Sequence, residues 1–279
     1  MLSRMKRSYF FIIGLICLCI VLISVYIIPL FMTFDPTATA LTDRFIPPQG
    51  FKEGLNGHVF GTDDLGRDVL IRLLIGGRYS FYLAFVSVII ITIVGCIMGT
   101  LAGYFGGWLD AVIMRLCEAM MAIPPLIMAI AIIAVLGQST TNLIIVLCIG
   151  GWVGICKLTR NEVRIVKQQE FALASKALGA KGWYIMFKQI FPNVTTQIIV
   201  LTSQMVGTTI MLESALSYLG LGIPMPAPSW GNMISSGRQY LVTQPWMIIV
   251  PGFALMLAVL SFNFMGDGIR DVLDTKRKV

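Results

Sequence analysis

The chain has 279 residues, 57% of them hydrophobic and only 13% charged, with a formal net charge of +7. A soluble globular domain carries about 25% charged residues, so composition excludes a single ordinary water-soluble core. The basic residues are interleaved with apolar runs and form no stripe, which excludes a nucleic-acid-binding face.

Residues 1–8 read MLSRMKRS, and residues 9–32 follow without a charge. A secretory signal has an apolar core of about 7–15 residues. This run is longer and lacks a small-residue cleavage site, so it reads as a retained first span within 1–33. About 20 apolar residues suffice to cross a bilayer as a helix. Residues 34–78 are rich in Pro, Gly and charge and read as an extracytoplasmic loop with a short amphipathic helix near 64–74. Residues 79–104 form the second span and 111–136 the third. Pro124 and Pro125 should kink or break the third, because proline removes a backbone donor and clashes with the preceding turn. Residues 137–142 are a polar turn, and 143–156 a short fourth span. Residues 194–216 and 245–265 are the fifth and sixth. The chain therefore reads as all-α, with a core over 79–274 and a polar tail at 275–279.

Six spans put both termini on one side. Placing them inside gives an inner set of Arg4, Lys6, Arg7, Arg115, Lys157, Arg160, Arg164, Lys167, Lys176, Lys181, Lys188, Arg270, Lys276, Arg277 and Lys278. The outer set is Arg44, Lys52, Arg67, Arg72, Arg78 and Arg238. The positive-inside rule favours this N-in, C-in arrangement. The charged block 157–188 then faces the cytoplasm, and it is too large for a simple turn. It reads as helix, glycine break at Gly179, and a second helix ended by Pro192. Such an element lies on anionic lipid as an interfacial helix, or it docks as a knob into a groove on a soluble partner.

The spacing of Ala174, Ser175, Gly179 and then Ile190-Phe191-Pro192 resembles the Glu-Ala-Ala loop of binding-protein-dependent ABC importer permeases. Leu173 stands where that motif has Glu, and Ser175 replaces its second Ala, while the interval from Gly179 to Pro192 is kept. HVFGTDDLGRDVLIRLLIGGRYSF (58–81) and ESALSYLGLGIPMPAPSWGNMISSGRQYL (213–241) are similar to segments of the second permease of dipeptide, oligopeptide and nickel importers, as is 245–274. The resemblance covers nearly the whole chain. It implies a type I importer fold in a prokaryotic cell membrane, with a coupling helix at 171–187 inside the loop 157–192. It also implies a homologous second permease, two cytoplasmic ATP-binding subunits and an extracytoplasmic solute-binding protein. Ala172, Ala174, Ser175, Ala177, Leu178, Gly179, Ala180 and Pro192 would serve ATPase coupling. The substrate would be a peptide, or alternatively nickel or a metal chelate.

The chain has no GxxxxGK[ST] phosphate loop and so should not hydrolyse ATP itself. ATP and Mg would sit on the partners, and no cofactor is expected here. Charge within a span is costly and often functional. Glu213 is therefore a candidate to line the pathway, or to pair with Arg238. Tyr218, Leu219 and Trp230 join these two as pathway or gate candidates. The Pro- and Gly-rich stretch 217–231 is either a gate or re-entrant element or an ordinary external loop. Arg115 and Glu118 suit an intrahelical ion pair. Asp63, Asp64, Arg67 and Asp68 read as loop structure or binding-protein contacts. With one histidine, His58, a multi-histidine metal site is excluded, and the six cysteines read as small hydrophobes. A secondary transporter would show two related halves, and a membrane enzyme a nucleophile–base pair or metal cluster. Neither signature is present in the sequence.

Overall fold

The computed structural model describes residues 9–31, 35–50 and 57–273. The basic leader, Lys52 and the tail 275–279 lie outside them. Among the described residues the secondary structure is helical, apart from one bridge between Thr62 and Asp68. The helices are α1 (Tyr9–Tyr26), α2 (Val69–Phe105), α3 (Gly107–Met121), α4 (Pro125–Leu136), α5 (Thr140–Lys167), α6 (Glu170–Ala177), α7 (Phe191–Tyr218), α8 (Trp230–Gly237) and α9 (Trp246–Leu273). Five helical segments are long and apolar enough to cross a membrane. The pair α3 and α4, bent by 87°, gives a sixth if counted as one span. The expected break at the prolines is therefore sharp: Pro124 is extended, and Pro125 opens α4, where its missing N–H is no loss.

Four boundaries differ from the sequence reading. No separate amphipathic helix covers 64–74, because α2 starts at Val69 and continues unbroken for 37 residues. Asp68 caps it, its carboxylate accepting from the Ile71 N–H at 3.0 Å. Gly76 and Gly77 do not interrupt it, since neighbours press on both. A Cβ at Gly77 would lie 2.7 Å from Val25 and 2.9 Å from Trp230. Next, α5 runs past Cys156 to Lys167, because Thr159, Val163 and Val166 keep a buried stripe on the charged extension. Pro192 ends no helix. Instead, 182–218 is one helical run in which a π-turn (Ile185–Ile190) precedes Pro192 in the first turn of α7. A widened turn at that point re-routes hydrogen bonds: the Phe191 N–H donates to the Met186 carbonyl. Lastly, α9 extends to Leu273.

The centre of the bundle is the contact of α2 with α5. Gly95, Gly99 and Gly103 recur every fourth residue on α2. A Cβ there would lie 2.9 Å from the Trp152 carbonyl oxygen, 2.5 Å from that of Cys156 and 2.7 Å from that of Arg160. The two backbones therefore touch, as small residues at this spacing permit between membrane helices. α1 packs along α9 in a similar way: a Cβ at Gly14 would lie 2.7 Å from the Met265 nitrogen, and one at Gly268 2.5 Å from Phe11. This contact places the start of α1 and the end of α9 at the same end of the molecule.

The opposite end is closed by a polar cap. Asp63 holds Arg67 (Nε to Oδ2 2.7 Å) and Arg72 (Nε to Oδ2 3.4 Å), and all three are buried. Arg72 also donates to the Pro36 carbonyl at 3.1 Å, and the Trp246 indole donates to the Thr62 carbonyl at 3.3 Å. His58 contacts Asp68 at 2.9 Å. Asp63, Arg67 and Arg72 are thus paired with one another, as buried charges must be. The Arg115–Glu118 pair also forms, at 2.9 Å on the exposed face of α3.

The glycine contact makes a direct prediction. Gly99→Leu should push the two backbones apart and destabilise the chain by about 3 kcal/mol, the upper part of the usual overpacking range. Gly154→Ala should be neutral or slightly stabilising, because nothing lies within 4 Å of a Cβ there. Thermal unfolding in detergent compares the two, and equal stability would refute the backbone contact.

Candidate functional site

At the basic end, α6 projects as a short knob after α5. Its ending is a Schellman motif. The Ala180 N–H donates to the Ser175 carbonyl at 3.0 Å, and the Gly179 N–H donates to the Lys176 carbonyl at 3.1 Å. Gly179 carries φ +79°, a conformation that glycine adopts without penalty. A Cβ on Gly179 would touch nothing within 4 Å, so its cost there is conformational alone.

Sequence reasoning missed three contacts at this end, one to the knob itself and two beside it. Gln189 donates to Ser175 Oγ at 2.6 Å, the Tyr104 hydroxyl donates to the Gly182 carbonyl at 3.1 Å, and Lys167 Nζ reaches the Tyr104 carbonyl at 2.5 Å. Near α3, Arg160 grips the Asp110 carboxylate through Nε and Nη2. These partners are far apart in sequence, and no local pattern announces them.

The structure divides the eight expected coupling residues. Ala174, Ala177, Leu178, Gly179 and Pro192 are exposed, and Leu178 stands out at 88%. Ser175 and Ala180 are half-buried and hold the cap. Ala172 is buried, packed with Val163, Val166, Ile185 and Ile190. It therefore faces the chain's own core and not the outside of the knob. The helical period explains this: Ala172 begins the inward face, whereas Leu173, Ala174 and Ala177 lie on the outward one.

At the opposite end the pathway candidates also separate. Glu213 of α7 is fully buried. Its Oε1 accepts from Ser217 at 2.7 Å, and its Oε2 accepts from Ser80 of α2 at 3.0 Å and from Ser214 at 3.5 Å. Ser217 in turn lies 3.4 Å from Ser229, whose hydroxyl caps α8 by accepting from the Asn232 N–H at 3.2 Å. Trp230 is buried and donates its indole N–H to the Leu73 carbonyl at 2.9 Å. One hydroxyl cage thus ties together α2, α7 and α8. Arg238 does not pair with Glu213. It is exposed, with its guanidinium 5.6 Å from the centre of the Tyr218 ring. Tyr218, Leu219 and Arg238 share an exposed surface, whereas Glu213 and Trp230 are interior. The stretch 217–231 is packed against its neighbours: Asn232 donates to the Ile223 carbonyl at 2.8 Å, and a Cβ at Gly231 would lie 2.5 Å from the Ser214 carbonyl.

Among the described residues no group of three or more His, Cys, Asp or Glu is placed to hold a metal ion. The two candidate regions are an exposed apolar knob at one end and a hydroxyl-bonded cage at the other.

Comparison with known proteins places this geometry. Residues 91–279 match the family model described as "Binding-protein-dependent transport system inner membrane component". The dipeptide transport system permease protein DppC of Alkalihalophilus pseudofirmus is 38% identical over 99% of this chain and 89% of its own length. The oligopeptide transport system permease protein OppC of Bacillus subtilis is 36% identical over 98% of this chain and 88% of its own length. Among solved structures, an inward-facing form of the MetNI methionine ABC transporter superposes with a TM-score of 0.61. That match has 18% identity and covers 72% of this chain and 96% of the other, so it establishes a shared fold, that of a type I importer.

The cage predicts how Glu213 responds to substitution. Glu213→Gln should fold with little loss, since its amide oxygen still accepts from a serine hydroxyl while its NH2 donates to the oxygen of another. Glu213→Ala should lose about 2–5 kcal/mol, because it opens a cavity and orphans buried hydroxyls. Unfolding midpoints in detergent test this. Normal stability of the alanine variant would return Glu213 to the substrate path.

Proposed function

We propose a peptide-import role for this chain, which belongs to the family of binding-protein-dependent transport system inner membrane components. It is a multi-pass permease of the inner membrane and not an ATPase. The observation that carries the peptide reading is the match over nearly its whole length to dipeptide and oligopeptide permeases. Those names favour peptides over the nickel or chelate alternative.

In this reading the chain forms half of a translocation path, beside a homologous second permease. Two cytoplasmic ATP-binding subunits bind beneath them, and an extracytoplasmic protein delivers the peptide. ATP and Mg reside on the ATP-binding subunits. The knob α6 is the coupling helix. Ala174, Ala177, Leu178 and Gly179 form its contact surface, while Ser175 and Ala180 hold its cap and Pro192 opens α7 behind it. Leu178 would be the anchor, since a large exposed apolar side chain gains most by entering a pocket. Nucleotide-driven closure of the ATP-binding subunits would shift α6 as a rigid unit, and α5 would carry that shift along the glycine contact to α2. The closure at the other end would then open, with Tyr218, Leu219 and Arg238 at the path mouth and Glu213 and Trp230 holding the hinge. This is a switch between two packed arrangements, the usual form of such transitions.

Three measurements on the reconstituted complex test the proposal. Dipeptides or oligopeptides presented by the cognate binding protein should stimulate ATP hydrolysis, and nickel complexes should not. Leu178→Glu should weaken association with the ATP-binding subunits by about 30-fold, the loss of one hot-spot contact. Gly179→Val should uncouple hydrolysis from uptake while the bundle melts as before. Normal uptake by both variants would exclude α6 as the coupling element.

A further inference from the structure

Helix α3 is joined to its neighbours by two loose connections. Gly106 and Gly107 open it, both in the left-handed region at φ +69° and +57°, and a Cβ on either would touch nothing within 4 Å. Such a glycine pair is free to pivot. At its other end α3 meets α4 at 87°, so α4 cannot brace it along its axis. What holds α3 is one face against α5. Ile113 and Cys117 are buried there with Trp152, Val153 and Cys156, and Cys117 Sγ lies 3.9 Å from Cys156 Sγ. Nearer the glycines, Asp110 accepts from both prongs of the Arg160 guanidinium, Nε and Nη2, the latter at 2.6 Å. Arg164 stands 3.9 Å from the same carboxylate. The Arg160 and Asp110 side chains are only 19% and 16% exposed, so salt screens the pair little. Arg160 also belongs to the glycine contact, because a Cβ on Gly103 would lie 2.7 Å from its carbonyl oxygen. One residue of α5 therefore touches α2 through its backbone and α3 through its side chain.

We propose that Asp110 is a positioning residue for transport: its clamp on Arg160 closes the glycine hinge, so that α3 travels with α5 and α2 as one body. The inference rests on the reading of α6 as the coupling helix, from which α5 carries the shift. Cys156, Arg160 and Arg164 recur every fourth residue of α5 and so share one face, the face that holds α3. A two-pronged guanidinium–carboxylate pair fixes direction as well as distance, which a point charge does not. The apolar contacts of Ile113 and Cys117 are non-directional and cannot replace it. Without the clamp α3 would swing about Gly106 and Gly107 and lag behind α5. The inner half of the bent span would then stop following the ATP-binding subunits.

The reconstituted complex tests this through peptide uptake per ATP hydrolysed. Asp110→Ala should lower that ratio roughly tenfold, the loss of one charge-assisted hydrogen bond, and Asp110→Glu should restore most of it. Asp110→Asn, which keeps the size of the side chain, gives the same comparison if the alanine variant fails to assemble. A purely structural clamp would lower the melting midpoint and leave the ratio unchanged, which would overturn the proposal. The thiols of Cys117 and Cys156 supply a second arm. Oxygen with copper phenanthroline removes their two hydrogens and joins the sulfurs, fixing α3 to α5, and mass spectrometry maps the bond. The crosslinked complex should transport normally, since the two helices already move together, and the crosslink should rescue Asp110→Ala. Cys117→Ala should abolish both the crosslink and the rescue. Loss of uptake on crosslinking, relieved by a reductant, would overturn the proposal, because α3 would then have to leave α5. So would an Asp110→Ala complex that stays uncoupled when crosslinked. Association of Leu178→Glu with the ATP-binding subunits tests the coupling-helix reading separately, so the failure of that reading is told apart from the failure of this one.

Discussion

Everything in this fold depends on the backbone contact between α2 and α5. Lipid tails are as apolar as leucine, so no hydrophobic force drives helices together inside a bilayer, and close packing must supply the attraction. Gly95, Gly99 and Gly103 let three successive turns of α2 rest on the carbonyls of Trp152, Cys156 and Arg160. The consequence is stiffness. α5 continues past this contact to Lys167, and α6 begins at Glu170, so the knob is attached to the most tightly packed part of the bundle. A push on the knob therefore has little slack to take up before it reaches the core.

The two ends of the molecule obey different rules. At the basic end, polar contacts are few and long in sequence, and the knob leaves apolar side chains such as Leu178 uncovered. At the other end almost every polar group is used internally. Asp63, Arg67 and Arg72 pair under the cap, and Glu213 is satisfied by serines. Backbone that is neither helix nor sheet lies within a membrane only when protein or water covers it. The segment between α7 and α8 meets that condition through Ser217, Ser229 and Asn232.

Much of this was legible in the sequence, and the exceptions have physical causes. The apolar runs located every span, since the membrane imposes one length and one composition on each. The break at Pro124-Pro125 and the Arg115–Glu118 pair were readable because both causes are local. Hydropathy ended the fourth span at Cys156 because it measures only the part of a helix that lipid would surround. The buried stripe of Thr159, Val163 and Val166 continues the helix into water. The short helix expected near 64–74 differs for a similar reason: the charges before Asp68 precede the helix, and Asp68 is its cap. The glycines of α2 recur at a legible spacing, but the spacing does not name the partner helix.

The coupling set shows where a motif stops being a surface. Family resemblance marks positions without saying which way each side chain faces. On a helix of eight residues only one face can meet a partner, and the other must close the chain's own core. Ala172 fell on the inner face and Leu178 on the outer one. Glu213 carries the same lesson across the membrane. A carboxyl group in a span has to find donors, and a substrate is only one source of them. Ser80 and Ser217, from two helices, supply them here, and Ser80 lies 133 residues away in sequence. The cost of an unsatisfied group in hydrocarbon makes that internal solution the stable one. In this arrangement the donors that satisfy Glu213 come from the chain itself, and they tie α2 to α7.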